Sequence, residues 1–123
     1  MPQQEPLAKS RPKTKDISVD ETYFDLMASA INVLSRRTKR FETLTTVVVD
    51  ALTSTQTVPD DILDKLPESN AWLGNIKVHF RVYDHMRPAI ARMKDQLERA
   101  GRGECSLRDI IIVCCLLTMP HQP

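Results

Sequence analysis

Three histidines (His79, His85, His121) and three cysteines (Cys105, Cys114, Cys115) are the side chains that nucleophilic or metal chemistry would draw on first. Their spacing serves neither. No HExxH or CxxC pattern holds them, and the three glycines build no phosphate loop and no GxSxG elbow. Cys105 stands beside Glu104, whose negative charge disfavours the reactive thiolate. Asp60, Asp61 and Asp64 read as a solvated helix start, where carboxylates complement the helix dipole, and not as a cation site. The expectation is a protein that is not an enzyme, with no cofactor and no metal.

Charge is the chemistry that remains. Arg36, Arg37, Lys39 and Arg40 cluster near the middle of the chain. Lys77, Arg81 and His85 follow one another at four-residue spacing, which a helix would gather on one face, with Arg92 and Arg99 continuing it. Two such rows could lie across the phosphates of a duplex. Double-stranded RNA recognition asks for little more, because it reads backbone and 2′-hydroxyls. The competing reading is that these cations solvate helix faces and pair with Asp84, Asp95 and Glu98. With 17 basic and 16 acidic residues, net charge is +1 and decides neither way.

The elements that must position these groups come from the apolar pattern. Phe24, Met27, Ile31, Leu34, Thr38, Phe41, Thr45, Val48 and Leu52 recur at alternating three- and four-residue steps, with no Gly or Pro between Ile17 and Val58. That is the seam of a helix packed on another helix. The spacing predicts one long helix from Ser18 to about Ser54, opened by a Ser18–Glu21 capping box, or a hairpin bent near Arg36–Lys39. A short helix follows Pro59.

Residues 76–83 fit two templates. Ile76, Val78, Phe80 and Val82 alternate with polar residues, as in a strand, while Trp72, Ile76, Phe80 and Tyr83 share a helical face. A lone strand has no evident partner here, so helix is expected. A further helix runs from about Pro88 to Gly101. Ser106 and Asp109 then open a last one, apolar almost all round from Leu107 to Leu117, as a buried or docking helix would be. Acylation of Cys114 or Cys115 is a weaker use of that segment. No internal repeat is apparent.

Residues 1–17 read as a disordered basic tail, broken by Pro2, Pro6 and Pro12, and 120–123 as a disordered end; between them, 18–119 form one helical domain. The tail is unlike a secretory leader, and no apolar run reaches the ~18 residues of a membrane span. An odd cysteine count with two adjacent suits a reducing compartment, so an intracellular protein of cytoplasm or nucleus is expected.

The expected fold is all-α: a long N-terminal helix or helical hairpin packed against three or four shorter helices. The expected function is a non-catalytic interaction module, an adaptor or complex subunit that binds a protein partner or a second copy of itself. Its contact residues are Met27, Ile31, Leu34, Phe41, Val48, Ile111 and Leu117. The alternative is a small helical protein that binds duplex nucleic acid through Arg36, Arg37, Lys39, Arg40, Lys77, Arg81 and His85.

Overall fold

Two strands and five helices make up the described residues of the computed structural model, which are 13–65, 74–102 and 105–120. Strand β1 (Lys13–Val19) leads into helices α1 (Glu21–Thr38) and α2 (Leu44–Ser54), and short α3 (Asp60–Lys65) follows. Strand β2 (Ile76–Val82) leads through a tight turn, Asp84–Met86, into α4 (Arg87–Leu97) and then α5 (Leu107–Thr118). The strands pair antiparallel, with Lys13 opposite Val82, Asp16 opposite His79 and Val19 opposite Ile76.

This corrects the all-α expectation: the fold is mixed, mostly helical, with a two-stranded ribbon. Residues 76–82 take the strand template because they have a partner after all. It lies in the segment read as a tail, so from Lys13 onward that reading fails; residues 1–12 and 121–123 are outside the described residues. Lys13–Asp16 have no apolar side chain, and only Ile17 and Val19 betray a strand. Pairing with β2 supplies what local composition lacks. Ile17, Val19, Phe80 and Val82 are buried on the ribbon's inner face.

Ser18 therefore belongs to β1 and cannot cap the next helix. The turn falls at Asp20, whose carboxylate accepts from the Tyr23 amide at 3.0 Å. Gly74 passes directly over that corner, and a Cβ there would overlap the Asp20 backbone. Gly74→Ala is expected to lower stability by about 2 kcal/mol, as overpacking does; an unchanged melting temperature would count against this packing.

The long seam is two helices. Lys39 adopts a left-handed conformation (φ 62°) and its amide donates to Ser35 O at 2.8 Å, ending α1. A polar run then offers the backbone better partners than a continued helix would. The Thr38 hydroxyl donates to Glu42 at 2.6 Å, the Glu42 amide to Ser35 Oγ at 2.9 Å, and the Thr46 amide to the Thr43 hydroxyl at 3.2 Å. The Thr38 bond, aided by Thr46 and Arg40, holds the Glu42 carboxyl below its ordinary range.

The chain also repeats itself. β2 begins 63 residues after β1, the Asp84 turn 63 after α1, and α5 63 after α2. The molecule is strand–helix–helix twice over, with short α3 between the halves and the strands paired in the antiparallel ribbon. Side chains at that separation occupy equivalent buried places: Val19 and Val82, Leu34 and Leu97, Val48 and Ile111, Leu52 and Cys115. Both halves feed one core.

Helix α5 is its centre. Ile110 to Cys115 are fully buried against α1 and α2, and the Ser106 amide donates to Asp109 at 2.8 Å as its start requires. Burial raises the Cys114 thiol well above its ordinary range and pushes Cys115 up to about 12. The folded state therefore keeps protons that the unfolded chain has already lost above about pH 8.5. This contribution is complete below that pH and is lost as pH rises toward about 12. The melting temperature is expected to fall through that window, less steeply in Cys115→Ala; identical profiles would contradict it.

Candidate nucleic-acid interface

Strand alternation sends every second ribbon side chain outward. On β1 these are Thr14, Asp16 and Ser18; opposite them on β2 stand Arg81, His79 and Lys77. All six are polar, and all but the half-buried Ser18 are exposed. His79 Nδ1 meets the Asp16 carboxylate across the centre of the ribbon. Among the described residues Lys77 and Arg81 form no ion pair. The face is thus narrow and two-stranded, with Lys77 and Arg81 uncommitted on either side of a paired Asp16–His79 centre.

One flank of the ribbon opens into a groove of about 520 Å³. His79 and Arg81 form one wall with Tyr83 and His85, and the first turn of α2, Thr43–Thr46, forms the other. The Tyr83 and His85 rings lie 5.8 Å apart, which sets His85 at the groove's edge. The Thr46 amide is capped by Thr43, while the Leu44 and Thr45 amides have no acceptor within the helix. That end of α2 carries the positive pole of its dipole beside Arg81.

The basic residues anticipated from sequence divide into three groups. Lys77 and Arg81 do share a face, but it is a strand face, and the helical row running on to His85 is not formed. Arg36, Lys39 and Arg40 surround the α1–α2 turn; Arg36 bonds Asn32 at 3.0 Å and Arg40 pairs with Glu42 at 3.3 Å. Arg37 is structural, reaching Thr118 O at 3.4 Å and Asp50 at 3.7 Å. Arg92 is likewise spent on Leu52 O, and Arg99 on Asp95. His79, Thr14, Asp16 and Ser18 were missed. A strand assignment for 76–83 would have found His79; the β1 residues carry no local signal.

Of the seven expected protein-contact residues, Met27, Leu34, Val48 and Ile111 are buried in the core and present no surface. Ile31 and Leu117 are partly buried against it. Phe41 alone of the seven is fully exposed, in the α1–α2 turn beside Arg36, Lys39 and Arg40.

The chain matches no protein-family model, no curated protein and no solved structure at a significant level. Among the described residues no three His, Cys, Asp or Glu side chains converge, and no helix is long and apolar enough to cross a membrane.

Proposed function

We propose that this protein binds duplex DNA by laying the β1–β2 ribbon in the major groove. The observation that carries the reading is the outer ribbon face, where Lys77, His79 and Arg81 project in a row with Thr14, Asp16 and Ser18 beside them. A B-form major groove, about 12 Å wide, admits a two-stranded ribbon, and its base edges are hydrogen-bonding groups that such side chains match. The groove beside α2 suits the flanking phosphates, since helix N-termini hold phosphate backbone in protein–DNA complexes. A modest net charge is no obstacle when the cations stand together on one face.

DNA fits better than the RNA duplex considered from sequence. A-form RNA has a deep, narrow major groove that side chains do not read, and the helical row suited to its shallow groove is a strand here. A labelled duplex titrated with the protein across salt concentrations tests this, read by fluorescence anisotropy. Saturable DNA binding that weakens linearly on a log–log salt plot is expected, with the same sequence as RNA bound more weakly. No DNA binding at low salt would defeat the reading.

A second reading, the adaptor, rests on Phe41. A fully exposed phenyl ring in a basic turn suits a contact with an acidic protein surface. Phe41→Ser would then abolish complex formation and leave DNA affinity unchanged.

A further inference from the structure

The two strands of the ribbon are related by the repeat but are chemically unlike. At the separation of 63 residues, Thr14 corresponds to Lys77, Asp16 to His79 and Ser18 to Arg81. One strand offers hydroxyls and a carboxylate; the other offers cations and an imidazole. A ribbon built from two identical chains would show the same residues on both strands and read a palindrome. A single chain carrying both strands has no such constraint.

We infer that one copy of the chain reads a non-palindromic DNA site and that Asp16 determines its central base, a cytosine. The inference rests on the DNA-binding reading and goes beyond it. Residues two apart on a strand span about 6.7 Å, close to two base-pair rises of about 3.4 Å. Lys77, His79 and Arg81 therefore sample positions along about five base pairs. Lys and Arg donors pair with guanine O6 and N7.

Asp16 does the opposite. A carboxylate only accepts, so it is unfavourable against the acceptor edges of guanine or thymine; the cytosine N4 amine satisfies it without the N7 acceptor that stands beside the adenine N6 amine. His79 stands directly across from it with Nδ1 on that carboxylate, which leaves the remaining carboxylate lone pairs to face a base.

The flanks repeat the asymmetry. Hydroxyls of Thr43 and Thr46 cap α2, whereas the buried carboxylate of Asp109 occupies the start of α5 and would repel a phosphate.

Selection from a randomised duplex pool with the full chain, and native mass spectrometry of the selected complex, test the inference. The expected site lacks two-fold symmetry, contains guanines, and is bound by one copy. Asp16→Asn, which adds an amide donor, should cut the preference for cytosine at the central position about tenfold with the melting temperature unchanged. A palindrome bound by two copies, binding without base preference, or an unaltered central preference in Asp16→Asn would each overturn the inference and leave DNA binding standing. Retention of no duplex at all would overturn both.

Discussion

Replacing Lys77 and Arg81 together with Ala is expected to weaken duplex DNA binding by roughly a hundredfold or more, with the fold intact. Each well-made contact between such a side chain and a base is worth about 1–3 kcal/mol. Losing two multiplies the effects where the positions act independently. Both side chains are exposed and form no ion pair among the described residues, so their removal leaves the core untouched. Exposed substitutions of this kind change stability by about 0.5 kcal/mol at most. Arg99→Ala is the matched control: it removes a cation that sits off the ribbon and pairs with Asp95 at 3.0 Å. It should alter binding little. Anisotropy titrations of the three proteins, with thermal melts alongside, check the set. A loss from Arg99→Ala of about half the double variant's, on a logarithmic scale, would mean that only total charge matters.

The second large effect concerns the repeat. Leu34→Ala and Leu97→Ala are each expected to destabilise the protein by about 3 kcal/mol, within the usual 2–5 kcal/mol for a buried leucine. The two side chains occupy equivalent positions in the two halves and are 2% and 0% exposed. Because both halves enter one core, the losses should appear in a single unfolding transition. Together the two changes would remove about 6 kcal/mol, enough to unfold a domain at the low end of the usual range of about 5–15 kcal/mol. Urea unfolding measures both costs. A cost under about 1 kcal/mol at either site, or two separate transitions, would show that the halves do not share one core.

Most helices could be read from the sequence because their apolar spacing is local. The seam located α1 and α2, and the Ser106–Asp109 pair located the start of α5. What failed depends on contacts distant along the chain. Phe41 keeps the seam spacing yet is fully exposed, since the break at Lys39 puts it in a turn where helical register has no meaning. The ribbon needed a partner more than fifty residues away in a segment without an apolar run. The repeat was hidden because it survives more widely in burial than in identity: Val19 and Val82, and Leu34 and Leu97, match, but Ala51 and Cys114 fill equivalent places with unlike residues.

The candidate interface was half legible for a related reason. Lys77 and Arg81 fall on one side whether the segment is helix or strand, because four residues is both a helical step and an even number. His79 shares that side only in a strand. Thr14, Asp16 and Ser18 join it only through pairing.

Everything proposed for this protein's DNA recognition depends on the ribbon occupying the major groove. Dimethyl sulfate protection of the bound duplex tests it most directly, since the reagent methylates guanine N7 in the major groove and adenine N3 in the minor groove. Guanine N7 protection is expected within the bound site, lost in the Lys77→Ala, Arg81→Ala protein, with adenine N3 still reactive. Protection of adenine N3 with guanine N7 left open would contradict it.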